Sequence, residues 1–233
     1  MAGERLHRIL ELLSAGGQTE KGSARLCDVC AEVAAMNGAG IMLMSEDVAL
    51  GSVCTTNEVS ALIEELQFSL GEGPCVDAYG EGRPVLEPDL ADPETPRWLA
   101  FSPPALAANV RAVFGFPLQV GAVRLGALNL YRDRPGPLGD DQHADALVMA
   151  DVAARVVLAM QANAPLDAVA EELEAGANFH LVEHQASGMV AAQLGVSVGE
   201  ALVRLRAYGF SHDLDLIEVA EAVVDRRLRF DSS

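Results

Sequence analysis

Lysine is almost missing from this chain. Lys21 is the only one in 233 residues, and every other basic side chain is an arginine. With 16 basic residues against 34 acidic ones the formal net charge is −18, which opposes general affinity for nucleic acid. No uncharged apolar run reaches the roughly eighteen residues that a membrane helix needs, so no membrane span is expected. The amino terminus, MAGERLHRILELL, threads charges among its apolar residues and reads as an amphipathic helix, not a signal peptide. A cytoplasmic protein is the expectation, with its four cysteines as reduced thiols. The sequence also lacks a glycine-rich phosphate loop ending in Lys-Ser or Lys-Thr, a G-x-S-x-G elbow and an H-E-x-x-H zinc pair. Cys27-x-x-Cys30 has no second C-x-x-C to complete a zinc site. It also lies mid-helix, whereas a redox pair needs a thiol at a helix start, and burial is the expectation for it. Neither an enzyme nor a metal site is expected, and no cofactor can be named.

What is present is apolar. Half of the residues (50%) are hydrophobic, ample for a core, and the length allows one large domain or two small ones. Helical spacing runs through 4–14 (Leu6, Ile9, Leu10, Leu13) and 22–36 (Leu26, Val29, Cys30, Val33). Ile41 to Met44 and Val48 to Thr55 read as strands joined by a tight Ser45-Glu46-Asp47 turn, and Asn57 to Phe68 as a helix. A glycine-bearing stretch then enters a short helix with Pro74 in its first turn. Val85 to Glu87 is a short strand. Pro88 to Asn109 holds five of the eleven prolines, which predicts a loop-rich excursion with one short helix near Trp98. Arg111 to Leu118 and Leu125 to Tyr131 are nearly continuous apolar runs, so this pair should be central in its sheet and covered on both faces. A helix from Asp140 to Gln161 closes the region, broken at Asn163-Ala164-Pro165. The order predicts an α+β domain over 1–165, an antiparallel sheet flanked by helices.

The last quarter reads as three short helices around one small core. Val182, Ala186, Met189 and Val190 share a helical face, and Gly195 is a natural C′ residue. Ser197 with Glu200 is a capping box opening a second stripe of Ala201, Leu202, Leu205 and Tyr208. Asp215 with Glu218 repeats the signal before Leu216, Val219, Ala220, Val223 and Val224. Helices this short bury too little alone, so the unit should be tethered to something larger or paired. From Leu181 onward there are 5 arginines against 8 acidic residues, so most of the acidity lies upstream.

Gln185-Ala186-x-Gly188-Met189, Gly195-Val196-Ser197, Glu200-Ala201, Leu205-Arg206 and Leu216-x-x-Val219-Ala220 together resemble the ANTAR domain, a three-helix RNA-binding output module of bacterial transcription antitermination regulators. LGEGPCVDAY and VFGFPLQVGAVRLGALNLY, within roughly residues 20–160, resemble a GAF domain of the type found ahead of such modules. These resemblances imply a GAF-like sensor over 1–165 and an ANTAR-like output over 166–230, the latter beginning with a lead-in helix over 166–178 (Leu166, Val169, Ala170, Leu173) that Gly176 interrupts. They imply a small-molecule signal in a pocket between the sheet and the loop-rich excursion. They also imply a structured RNA partner of paired stem-loops near a terminator, and a homodimer. Two positions depart from the family pattern. Ser187 stands where Q-A-K-G has lysine, and Asp213-Leu214-Asp215 fills a turn that is usually basic.

For RNA, cations neutralise phosphate while amide and hydroxyl groups read unstacked bases. Arg204 and Arg206 on the second helix, with Gln185 and Ser187 on the first, lie beside the core stripes and are expected on the solvent side, with His212, Arg226 and Arg227 at the rim. The arginines have ordinary ion-pair partners available in Glu200, Glu221 and Asp225. A bundle this acidic is also compatible with an output that contacts a protein and not RNA. Cys75, at a helix start, and Cys54, at a strand end, are the ligand or redox candidates. Brought together they would form a thiol pair, and sulfoxide reductases do exist on GAF-like folds, which makes a reductase the third reading. His180 and His184 at i, i+4 are expected on an exposed face, and Asp89, Asp92 and Glu94 as a solvated acidic rim.

Overall fold

A computed structural model describes residues 2–14, 22–45, 48–92, 97–163 and 180–230. The elements are α1 (Ala2–Ser14), α2 (Gly22–Ala34), β1 (Gly38–Ser45), β2 (Val48–Thr55), α3 (Glu58–Leu70), α4 (Pro74–Glu81), β3 (Val85–Glu87), α5 (Ser102–Ala107), β4 (Ala112–Val120), β5 (Val123–Arg132), α6 (Asp140–Asn163), α7 (Leu181–Leu194), α8 (Val198–His212) and α9 (Leu216–Val224). The lead-in helix over 166–178, the break at Ala164-Pro165, Glu94, and the Glu46-Asp47 part of the first turn lie outside the described residues.

The five strands form one antiparallel sheet in the order β2-β1-β5-β4-β3. The hairpin read as central is central, because its apolar runs have a covered face on each side. Ile41, Leu43, Phe114, Phe116, Leu128 and Leu130 point to one face and join Leu26, Val29, Met149 and Ala153 of α2 and α6. Their strand neighbours point the other way, as the two-residue pleat requires. On that second face, Val113, Ala127 and Tyr131 meet Ile63 of α3, Cys75 and Ala78 of α4, and Phe101 and Ala105 in and beside α5. The short helix of the excursion therefore follows Trp98 and does not contain it. Arg5 and Arg8 tie α1 to α6 through Asp145, at 3.0 and 2.8 Å.

Helix α3 begins on a reciprocal capping box between Asn57 and Ser60 and ends on Gly71, whose φ of 68° is left-handed. Helices α7 to α9 close on Ala186, Val190, Leu202, Leu205, Val219 and Val223, the faces that periodicity picks out. This bundle is not separate from the sheet. The same apolar cluster includes Met42, Met44 and Ala49 of β1 and β2, Phe68 of α3 and Tyr79 of α4. Among the described residues no single helix is long and apolar enough to cross a membrane, and α7 and α8 are bent by 104° relative to each other.

Candidate functional site

The second face of the sheet carries a row of small residues with one polar side chain among them. Asn129 of β5 pairs in register with Gly40 of β1 on one side and Gly115 of β4 on the other. Both glycines are needed. A Cβ at Gly40 would stand 2.5 Å from Oε1 of Glu64, and one at Gly115 would collide with the Pro74 carbonyl, so α3 and α4 lie directly on the strands. Glu64 and Gln67, three residues apart on one face of α3, are buried over this row.

Their polar atoms are under-satisfied. Gln67 Oε1 accepts the Cys75 backbone N–H at 2.6 Å, but Gln67 Nε2, both Glu64 oxygens and both amide atoms of Asn129 have no hydrogen-bond partner. Burial pushes the Glu64 carboxyl up to about 8, and the neighbouring Asn129 amide offsets this only in part, without reaching hydrogen-bond geometry. Burial also raises the Cys75 thiol well above its usual value, and the nearby Glu64 adds to this. Buried groups left unpaired in this way are rare in proteins and concentrate at sites with a job. Over the cluster, Trp98 donates to Asp77 Oδ2 at 2.9 Å, Arg97 pairs with the same oxygen at 3.0 Å, and Glu72 Oε1 accepts from Ala100 and Phe101 N–H. The excursion is thus strapped to α4 and to the loop before it.

The C-terminal end of α3 faces the three-helix bundle. Arg206 of α8 donates from Nη2 to the carbonyl of Phe68, one of the α3 carbonyls that has no partner within the helix. Its guanidinium also lies 6.0 Å from the Phe68 ring centroid, and burial lowers its pKa to about 10. Gly71 leaves room for it, since a Cβ there would strike Arg206 Nη1. The His180 ring stacks on Phe68 at 3.4 Å, with Nδ1 3.2 Å from Glu183 and Nε2 3.4 Å from Glu65. His184 reaches the Leu50 carbonyl at 3.0 Å. The α3 C-terminus is therefore a seat holding cationic and imidazole groups against carbonyl oxygens and carboxylates.

The sequence model of the GAF domain matches residues 23–157, more than half of the chain. The chain belongs to the GAF domain family. Its fold is similar to that of solved GAF domains from the phosphoenolpyruvate-protein phosphotransferases of Coxiella burnetii and of Acinetobacter. The first is 13% identical, covering 69% of this chain and 95% of that one with a TM-score of 0.51. The second is 14% identical, covering 70% and 96% with a TM-score of 0.50. A domain assigned to a two-component sensor histidine kinase protein of Sinorhizobium meliloti 1021 is 18% identical, covering 63% and 95% with a TM-score of 0.50. Among curated proteins no sequence matches the chain. The GAF domain is a sensory and signalling unit, and here its sheet, α3, α4 and the excursion enclose the buried cluster.

Within and around this GAF domain the residues singled out from sequence are scattered. Cys54 forms a disulfide with Cys27, with Cα atoms 6.0 Å apart, so the expectation of four reduced thiols is corrected. Cys54 and Cys75 do not meet. Cys54 belongs to the α2–α6 face and Cys75 to the α3–α4 face, with the sheet between them. Ser187 and Arg206 are not on the solvent side. Ser187 is fully buried, donating to the His184 carbonyl at 2.9 Å, and Arg206 is turned into the α3 seat. Gln185, Arg204, His212 and Arg226 do lie towards solvent. Arg204 pairs with Glu200 at 3.2 Å, and His212 stacks on Tyr208 at 3.9 Å. His180 is buried where an exposed face was expected, because Phe68 supplies an aromatic partner outside its own helix. Glu64, Gln67 and Asn129 were missed. Asn129 had a signal, a polar residue inside LGALNLY, a strand read as buried on both faces. Glu64 and Gln67 had none, since polar residues on a surface helix read as solvated.

Proposed function

We propose that this chain is a signal-responsive, RNA-binding regulator of transcription antitermination. A small molecule enters the GAF domain at Glu64, Gln67 and Asn129, and the ANTAR-like bundle captures paired stem-loops of a structured RNA. The observation that carries this reading is the double role of α3, which holds Glu64 and Gln67 over the sheet and offers Phe68 and Gly71 to the bundle. A ligand that moves Glu64 or Gln67 moves the seat of Arg206, only one residue further along the same helix. Docked, the bundle keeps Arg206 and Ser187 away from RNA; released, the Arg206 guanidinium becomes free to pair with phosphate. Gln185, Arg204, His212 and Arg226 form the outer part of the RNA surface. Two copies pair through α1 and α6, which pack on each other and expose Leu6, Leu10 and Leu147.

The test is a titration against a two-hairpin RNA from the leaders neighbouring the chain's own gene, at two salt concentrations. Phe68→Ala removes the stack with His180, and RNA affinity should rise by roughly tenfold as the seat loosens. Arg204→Ala in that background should weaken binding and reduce the salt slope by about one. Absence of binding by both the wild type and Phe68→Ala at micromolar protein refutes an RNA output.

One observation favours a second reading. Phe210 is 85% exposed, and with Leu214 and Ile217 it borders an open groove of about 900 Å³ between α3 and the α8–α9 corner. An acidic turn beside exposed apolar groups suits a protein partner, and capture of such a partner without RNA would establish it.

A further inference from the structure

The cluster beneath α3 says what kind of molecule the sensor takes. Its unsatisfied acceptors are the two oxygens of Glu64 and Oδ1 of Asn129, and its unsatisfied donors are Nδ2 of Asn129 and Nε2 of Gln67. Three oxygens stand against two amide nitrogens, and two of the oxygens belong to one carboxyl group. Among the described residues no cation is paired with Glu64. Basic groups around the enclosure are otherwise engaged: Arg97 with Asp77, Arg111 with Asp89, and Arg206 with the Phe68 carbonyl at the end of α3. What the cluster lacks is positively charged N–H.

We infer that the GAF domain binds at this cluster a small organic cation, an amine or guanidine headgroup that donates to Glu64 and Asn129 and accepts from the Gln67 amide through a neighbouring polar atom. This deepens the proposed sensor reading and rests on it. A cation gains charge pairing by drawing the proton off Glu64, whereas a phosphate or carboxylate leaves the carboxyl protonated and finds no counter-charge there. The net charge of −18 adds a long-range field that concentrates cations and repels anions.

Binding carries a proton signature. Glu64 must ionise to pair with a cation, so below the folded value of about 8 each binding event expels the carboxyl proton. The other titratable group in contact with Glu64 is the Cys75 thiol, which burial keeps protonated throughout this range, and Gln67 and Asn129 do not titrate.

The experiment is calorimetric titration of the full chain at neutral pH with methylamine, putrescine, methylguanidine and agmatine, each in two buffers of different ionisation heat. Saturable binding of at least one probe is expected, with release of about one proton per molecule bound. Glu64→Gln, nearly isosteric, should abolish proton release and weaken binding at least tenfold. Proton release by the wild type answers the question independently of how that variant folds. Saturation by adenosine monophosphate or acetate, lost in Asn129→Ala, overturns the cationic class but leaves a ligand-binding sensor standing. No binding by any of the four cations, or cation binding unaltered in Glu64→Gln, also overturns it. The RNA titration judges the output separately.

Discussion

Glu64 makes stability depend on pH in a direction opposite to that of most carboxylates. Its folded value of about 8 lies above the ordinary 4.5 because burial disfavours the charged form. Below the ordinary value both the folded and the unfolded chain hold the proton, and the contribution is complete. Between the two values unfolding releases the proton, so stability falls by about 1.4 kcal/mol for each pH unit of rise. Across the whole window the loss reaches about 5 kcal/mol, comparable to the entire stability of a small domain. Glutamine cannot ionise, so Glu64→Gln escapes this loss. The assay is urea unfolding followed by circular dichroism at about pH 5 and about pH 8, with stability read as wild type minus variant. The subtraction cancels every group that the substitution leaves unchanged. The variant should gain on the wild type by several kcal/mol as the pH rises. A difference that stays constant would mean that Glu64 ionises as freely folded as unfolded, and the argument for a dry cluster would fail.

The Arg206 seat is tested by two glycines. Gly71→Ala meets both a left-handed φ of 68° and the guanidinium, whereas Gly195→Ala meets only a φ of 67° with open space around it. Gly195→Ala should cost about 1 kcal/mol, and Gly71→Ala clearly more, with loss of the Arg206 contact. Equal costs in thermal melts would dismiss the seat. Reducing the Cys27–Cys54 bridge, which spans 27 residues of sequence, should lower stability by about 3 kcal/mol in urea melts with and without dithiothreitol. No change on reduction would argue against the bond. Asn57 caps α3 and also accepts from the Tyr131 hydroxyl at 2.9 Å, so Asn57→Ala should cost about 1–2 kcal/mol. A loss under half of that would leave the cap without weight.

The helices and strands were legible because their signals are local. Continuous apolar runs placed β4 and β5 in the middle of the sheet, and Ser197, Asp215 and Gly195 bound the last helices, although only Asp215 with Glu218 closes a full box while Ser197 simply accepts from the Glu200 N–H. The candidate site was not legible for the opposite reason. Glu64 and Gln67 become unusual only when Gly40, Asn129 and Gly115, far away in sequence, are brought beneath them. Arg206 read as a solvent cation because nothing in LVRLRAYGF says that the end of another helix will cover it.

Pattern alone, then, settled which segments are helices and strands and which faces are apolar, since periodicity and capping act over a few residues. Tertiary structure decided which polar side chains lose water: Glu64, Ser187 and Arg206 look alike to sequence as solvated groups, and only chain crossings separate those that stay solvated from those that need a partner. It decided the cysteine pairing by the same logic. Cys27 and Cys30 are equivalent by spacing along α2, and it is the position of β2 on the sheet edge that gives Cys54 to one of them.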